Sequence, residues 1–184
     1  MFFNRHSVIE RLHISGETAH LKVAQYSLSS EISQYFTTSV GAWPSVTNAV
    51  ATTETTTGYS NVDITTPSQT SWDQLTGVYS QYYTAFTMFT TTDNIQVIGD
   101  ADKLKSTTRV IKYALIYFNP EELFLGTNMH KKATIVHELG HVLGLGHTNE
   151  GPNSLNVSSI MNQNQSFTYF LPQNHDIVDI EAKY

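Results

Sequence analysis

The stretch from residue 137 to residue 147 reads HELGHVLGLGH, and the spacing of its histidines and glycines restricts how this part of the chain can fold. On a helix, His137 and His141 lie about 40° apart around the axis and roughly 6 Å apart along it, so their imidazoles can converge on one metal ion. If the helix continued, His147 would lie about 9 Å beyond His141 and on another face. Gly144 supplies a turn back, because glycine adopts a positive φ after a helix end without a Cβ clash. The spacing therefore predicts a helix that ends near Gly144 and a site of three histidines.

Glu138 lies one step round this helix from His137, which suits a carboxylate beside an activated water better than a metal ligand. Because the sequence contains no cysteine, any metal site must use histidine and carboxylate. Three neutral imidazoles leave a fourth tetrahedral position for water, which is typical of catalytic zinc. Zinc can lower the pKa of that water to about 7, and Glu138 can accept its proton as the water attacks a polarised carbonyl. This chemistry predicts hydrolysis of an amide, with a peptide bond as the favoured substrate.

A chance match is the alternative explanation of this motif, since H-E-x-x-H alone also occurs on helices that bind no metal. The added glycine and third histidine at fixed spacing argue against chance. The helix is also expected to be buried, because its apolar residues form one stripe: Met129, Ala133, Val136, Gly140 and Leu143. Burying His137, Glu138 and His141 on such a helix is costly unless these groups are paired or coordinated. Metal binding provides that compensation.

The composition excludes several other classes of function. The 184 residues suffice for a single domain around one sizeable core. The 10 Lys and Arg residues are scattered in a chain of formal charge −6, so no basic surface for nucleic acid is indicated. No stretch approaches the ~20 apolar residues of a membrane span, so no membrane insertion is expected. The first residues carry charges where a signal peptide needs an apolar core, so either the chain is intracellular or a targeting segment lies outside this sequence.

Predicted strands and helices alternate along the chain, which favours an α/β or α+β layered architecture. Strands are predicted at residues 20–28, 49–54, 62–65, 78–89 and 109–118, and the last is apolar enough for a central position in a sheet. A helix is predicted between Ser30 and Pro44, where apolar residues recur at helical spacing. Residues 67–70 read as a loop that Trp72 anchors to the core. Residues 1–19 show no clear period and are predicted to be an N-terminal arm.

The eleven-residue motif resembles that of the metzincin clan of zinc-dependent endopeptidases, in which a methionine-bearing turn follows beneath the metal. The residues SSIM at 158–161 are similar to this turn. Within the clan the chain is most similar to prokaryotic-type matrixin-like catalytic domains, judged from VHELGHVLGLGHT, the SIM turn and the final DIVDIEAKY. The resemblance implies that Met161 forms a hydrophobic floor under the zinc ligands. It also implies a closing helix, capped by Asn174, in which Asp176 hydrogen-bonds near the turn; a carboxylate that stabilises the helix dipole is an equal alternative.

The resemblance further implies an α+β, zincin-like fold with an α/β-like N-terminal lobe at residues 20–146 and a small C-terminal subdomain at residues 147–184. The expected lobe has a twisted, mostly parallel sheet of about five strands with an antiparallel edge strand, a backing helix and the active-site helix. The subdomain would hold the methionine turn and the final helix. An edge strand of this kind aligns a peptide by β-augmentation. Residues 78–89 are the candidate, with an ordinary interior strand as the alternative.

The sequence departs from the matrixin pattern after the methionine. Matrixins commonly have a Pro-x-Tyr wall there, whereas Met161 is followed by NQNQSFTYFLP. Phe167, Tyr169 and Leu171 are therefore the candidates for lining the substrate pocket. The alternative is an aromatic cluster that packs the C-terminal subdomain.

Two further expectations concern calcium and location. Calcium, usual in matrixins, would have to use an acidic loop with Asp93, Asn94, Asp100 and Asp102, for which a solvated loop is the alternative. The absence of cysteine argues against the archaemetzincins, which carry an additional cysteine zinc site, and so favours a secreted protease. It also excludes a cysteine-based latency switch. A monomeric catalytic domain of residues 1–184, acting on a protein or peptide, is the resulting expectation.

Two other functions are compatible with the motif. One is a binding module that keeps zinc for structure, although a structural site has no need of Glu138 beside an open coordination position. The other is a zinc amidase that cleaves a non-protein amide such as a cell-wall crosslink. This activity differs from proteolysis only in the shape of the cleft, which the sequence does not determine.

Overall fold

The computed structural model describes residues 14–15, 18–77, 83–98, 111–121, 126–148, 157–163 and 168–184. These residues form seven strands: β1 (Ile14–Ser15), β2 (Thr18–Gln25), β3 (Val50–Thr55), β4 (Val62–Thr65), β5 (Ala85–Thr91), β6 (Gln96–Ile98) and β7 (Ile111–Phe118). They also form five helices: α1 (Ser30–Ser33), α2 (Phe36–Val40), α3 (Gln69–Thr76), α4 (Asn128–Val142) and α5 (Asn174–Glu181). Neither α4, with 15 residues, nor any other described helix is long and apolar enough to cross a membrane.

All seven described strands belong to one mixed sheet. Its centre is a parallel run in the order β3-β2-β4-β7. On the far side of β7, β5 and then β6 are added in antiparallel orientation, and β1 pairs antiparallel with the first residues of β2. The α+β class is confirmed, and so is the central position of β7. The sheet has more strands than the expected five or so, because β1 and β6 are too short to produce an alternating pattern in the sequence.

The predicted N-terminal arm needs a correction at its end. Ile14 pairs with Ala19 and Ser15 with Thr18, so these residues belong to the sheet. A strand of two residues leaves no period for a sequence pattern to reveal. Residues 1–13 of the predicted arm lie outside the described residues.

The hydrophobic core lies between one face of the sheet and the helices α1, α2 and α4. It is built mainly from aliphatic strand residues and from helix residues at helical spacing: Leu21, Val23, Val62, Ile64, Ala114, Ile116, Ile32, Phe36, Val40, Val136 and Leu139. The single helix predicted before Pro44 is interrupted at Gln34 and Tyr35, which end α1 and precede α2. Of the apolar residues at helical spacing, Tyr35 is partly buried and the others are buried: Ile32, Phe36, Val40 and Trp43. The indole Nε1 of Trp43 donates to Val136 O at 3.1 Å. The backing helices are thereby tied to α4.

The opposite face of the sheet is partly covered by α3, which the sequence did not predict. Ser68 caps this helix, because its Oγ accepts a hydrogen bond from Ser71 N at 3.2 Å. Residues 67–70, predicted to be a loop, therefore contain the N-cap and the first residues of α3. A Pro-Ser pair is compatible with a loop and with the start of a helix. Trp72 is fully buried with its ring 5.4 Å from that of Phe86, so it anchors α3 to this second face of the sheet rather than a loop to the core.

The final helix, α5, closes the chain against the end of α4. Its N-cap is Gln173 rather than the predicted Asn174, because the Gln173 side chain and Asp176 form a reciprocal capping box. Ile180 is fully buried. The hydroxyl of Tyr184 donates to Leu143 O at 3.1 Å and so satisfies a carbonyl that the end of α4 leaves without a helical partner.

Candidate active site

The helix α4 ends in a turn that returns the chain towards the helix. Gly144 has a φ of 88°, and its N–H donates to His141 O at 2.9 Å. The next residue, Leu145, donates its N–H to Gly140 O at 2.9 Å. These two bonds define a Schellman ending, in which a glycine takes the left-handed conformation. The turn places His147 beside the two helical histidines.

The three imidazoles meet at their Nε2 atoms. The Nε2 of His147 lies 3.3 Å from that of His137 and 3.2 Å from that of His141. One ring nitrogen from each residue lies within 4.8 Å of the other two. A tetrahedral zinc with bonds of 2.0–2.1 Å would hold its ligand nitrogens about 3.3–3.4 Å apart. Two of the three nitrogen–nitrogen distances match this value and the third is no more than 4.8 Å, so the donor set fits one zinc ion with a fourth position open.

Backbone carbonyls fix the orientation of the two helical imidazoles. His137 Nδ1 lies 2.7 Å from Ile160 O, and His141 Nδ1 lies 2.9 Å from Leu145 O. A carbonyl oxygen only accepts, so each Nδ1 carries the hydrogen and donates it. In the neutral ring, Nε2 then presents its lone pair. This tautomer is the one that directs Nε2 at a metal.

Burial also keeps these imidazoles neutral. It lowers the pKa of His137 to about 3, and the nearby His147 acts in the same direction. Burial lowers the pKa of His141 well below its usual value, with His137 and His147 adding to the effect. Because a metal competes with protons for the same lone pair, neutral imidazoles near pH 7 favour metal binding.

Glu138 is 5% exposed and is hydrogen-bonded to the sheet. Thr87 Oγ1, on β5, donates to Glu138 Oε2 at 2.6 Å. Burial raises the pKa of Glu138 to about 7, while the bond from Thr87 acts in the opposite direction. A carboxyl group that titrates near neutrality can both take and return a proton. Thr87 could not be identified from the sequence, because nothing there distinguishes it from the other threonines of this segment.

The residues around Met161 form a turn that packs against α4. Met161 N–H donates to Ser159 Oγ at 2.9 Å, and Met161 O accepts from Thr148 N at 3.2 Å. The Met161 side chain is 1% exposed, and its sulfur lies where a Cβ on Gly140 would stand. The methionine is therefore in contact with the helix between its two histidines. The hydrogen bond from His137 to Ile160 joins the same turn to the imidazole cluster.

We expect Gly140→Ala to destabilise the protein by roughly 1–3 kcal/mol, because the new Cβ overpacks the core. It would meet the enclosed Met161 sulfur and lie 3.2 Å from Cζ2 of Trp43, which its hydrogen bond to α4 holds in place. Gly41→Ala is a matched control, because its Cβ would make only ordinary contacts of 3.5 and 3.8 Å at a φ of −76°. That change should stabilise by about 0.4–1 kcal/mol. Urea unfolding of both variants measures the difference, and equal midpoints would contradict this account of Gly140.

Asp176 connects α5 to the methionine turn. Its Oδ1 accepts from Ser159 Oγ at 2.5 Å, and its Oδ2 accepts from Ile160 N at 2.9 Å and from Gln173 N at 2.7 Å. Asp176 therefore fits both interpretations given above: it hydrogen-bonds to the methionine turn, and as an acidic residue in the first turn of α5 it also suits the helix dipole. Burial raises the pKa of Asp176, and these hydrogen bonds oppose that shift.

The pocket candidates are not brought together in the described residues. Tyr169 packs against the core, and its hydroxyl accepts from Ser159 N at 3.1 Å. Leu171 is exposed, and Phe167 lies outside the described residues. Phe170 lies under Lys132, whose Nζ is 5.1 Å from the ring centroid. These contacts fit the aromatic packing of the C-terminal segment, and the pocket assignment stays a prediction.

The acidic loop gives no support to calcium binding in its described part. Asn94 Oδ1 accepts from Lys112 Nζ at 2.5 Å, so a cationic side chain already stands at this oxygen. Asp93 accepts from Thr91 Oγ1 within the same turn. Asp100 and Asp102 lie outside the described residues.

Comparisons with known proteins identify the fold. No family model matches the sequence, and no curated protein gives a significant match. A solved structure of myroilysin is similar to this chain, with a TM-score of 0.52 and 12% sequence identity over 97% of this chain and 98% of the myroilysin chain. At this identity the comparison shows the fold alone. The chain therefore shares the overall fold of myroilysin.

Proposed function

We propose that this chain is a zinc-dependent endopeptidase in which His137, His141 and His147 hold the metal and Glu138 is the general base. The observation that carries the proposal is the convergence of three imidazoles, in which the Nε2 of His147 lies at the spacing of tetrahedral zinc ligands from the Nε2 atoms of His137 and His141. A buried carboxyl group adjoins them in the sequence, on the same helix. Three protein ligands with a fourth position open are characteristic of catalytic zinc rather than of structural zinc.

Bound zinc would acidify water and polarise the substrate carbonyl. Glu138 takes the proton of the attacking water and later passes it to the leaving amine. Its pKa of about 7 suits both transfers, since a group that titrates near the working pH serves as acid and as base. The carbonyls of Ile160 and Leu145 hold the His137 and His141 rings in orientation through their Nδ1 atoms. The chain thus supplies both the ligands and the proton carrier.

The strand β5 supports a peptide as the substrate. It pairs with β7 over its whole length, whereas β6 covers it only from Met88 to Thr90. Among the described residues, Ala85 to Thr87 have no strand on the second side. An extended peptide can add there by β-augmentation. The Thr87 bond to Glu138 places this segment next to the general base.

The proposal is tested by loading the purified chain with zinc and incubating it with a library of unstructured peptides. One zinc per chain and cleavage within peptide bonds are expected, with activity lost on chelation and restored by adding zinc. The Glu138→Gln protein serves as the matched control for a contaminating protease. A chain that retains zinc but cleaves no peptide would overturn the proposal. Hydrolysis of a cell-wall crosslink in place of peptides would assign the same site to a different amide.

A further inference from the structure

We propose that Thr87 is a positioning residue for Glu138, with its hydroxyl holding one carboxylate oxygen so that the other is directed to the reacting water. The inference rests on the proposed function and extends it to a residue outside the histidine motif.

Thr87 lies on the face of β5 that packs against the core. Side chains alternate along a strand, so Thr87 shares this face with Phe89, which is fully buried in the hydrophobic cluster. Thr87 itself is 2% exposed. A buried hydroxyl is costly without a partner, and the partner here is Glu138 Oε2, 51 residues further along the chain. The contact with Glu138 therefore explains why a polar residue occupies this buried position.

Thr91 shows what a purely structural threonine does on the same strand and face. Its Oγ1 accepts from Ile95 N at 2.9 Å and shares its hydrogen between Asp93 Oδ1 and Ile95 O, closing the turn that follows β5. Its bonds are local and do not involve α4. Thr87, in contrast, joins β5 to the helix that carries the histidines.

The geometry of the bond suits an orienting role. Its length of 2.6 Å falls in the range for a hydroxyl donating to a carboxylate. The donor is held firmly, because a β-branched side chain has few rotamers and Thr87 pairs with Ile116 of the central strand β7. Within the described residues, Thr87 is the only hydrogen-bond donor recorded for the Glu138 carboxylate. Oε1 of Glu138 is thereby left for the proton.

Thr87→Val removes the hydroxyl and keeps the shape of the side chain, so it is the test. We expect kcat to fall about 10- to 100-fold, because a misplaced base loses the near-attack geometry. KM should change less than about twofold, because a side-chain exchange preserves the backbone at the strand edge. Thr87→Ser, which retains the hydroxyl, should keep kcat within about threefold of the wild-type value. Thr91→Val is the matched control and should lower the unfolding midpoint while leaving kcat unchanged.

A second measurement requires neither zinc nor activity. Unfolding midpoints of the zinc-free Thr87→Val, Glu138→Ala and double variants form a cycle, and a shift for the double variant smaller than the sum of the single shifts demonstrates direct contact. Additive shifts, or a Thr87→Val protein with wild-type kcat, would overturn the inference and leave the proposed function intact. A wild-type chain that binds zinc but cleaves no peptide would overturn the proposed function, and the inference with it.

Discussion

A Glu138→Gln variant is expected to bind zinc like the wild-type chain but to hydrolyse peptides about 10²- to 10⁴-fold more slowly. The amide has nearly the same shape, and its oxygen can still accept the hydrogen bond from Thr87. It cannot take a proton from water, so the general base is lost. The histidines are unaffected, because backbone carbonyls rather than Glu138 orient His137 and His141.

The measurements are kcat/KM on one peptide from the library and the zinc content of the purified variant. The free energy of unfolding should stay the same or rise, because the substitution removes a carboxylate that burial disfavours. Wild-type hydrolysis by this variant would show that Glu138 is not the base. Loss of zinc would instead make Glu138 part of the metal site.

The candidate site could be anticipated because its geometry is local. His137, His141 and His147 lie within eleven residues, and helix spacing followed by one glycine turn determines how they approach each other. The structure has this turn at Gly144 and brings the three Nε2 atoms together. No information from the rest of the chain is needed for this step.

The partners that orient the site could not be derived in the same way. Thr87 reaches Glu138 across 51 residues, and a shift of one residue in the register of β5 would turn its side chain to the opposite face. The neighbouring threonines in this segment have the same sequence character, so only the assembled sheet distinguishes them. The role of Gly140 likewise depends on Trp43 and Met161, which approach it from distant parts of the chain.

The fold was predictable where elements are long and periodic. The strand β4 has its predicted bounds, and β7 is the central strand that its apolar sequence indicates. The helix α3 was missed because its eight residues include one buried apolar side chain, Trp72, which gives no period. The break between α1 and α2 was also missed, because Ile32 and Phe36 keep helical spacing across it. Side-chain spacing thus predicted burial better than it predicted helix ends.

An Asp176→Ala variant is expected to lose roughly 3 kcal/mol or more of unfolding free energy, and its zinc affinity should fall about 10- to 100-fold. The substitution leaves Ser159 Oγ, Ile160 N and Gln173 N without the carboxylate that accepts from them. Its effect extends to the metal site through Ile160, whose N–H is held by Asp176 and whose carbonyl holds the His137 ring. If this carbonyl moved, the Nδ1–H of His137 would lose its hydrogen-bond acceptor. The ring could then rotate, and its Nε2 would no longer point towards the other ligands.

Asp179→Ala is the matched control for this prediction, because it removes a carboxylate from the same helix, α5. Asp179 Oδ2 lies 3.4 Å from His175 Nδ1 in a partly exposed pair. Such pairs contribute at most about 1 kcal/mol to the free energy of unfolding. Urea unfolding of the zinc-free proteins separates the loss of stability from the loss of metal, and a competitive zinc titration gives the affinity. If the Asp176 variant were destabilised but bound zinc with wild-type affinity, the hydrogen bond from His137 to Ile160 would not depend on Asp176. In that case α5 would support the methionine turn without influencing the metal ligands.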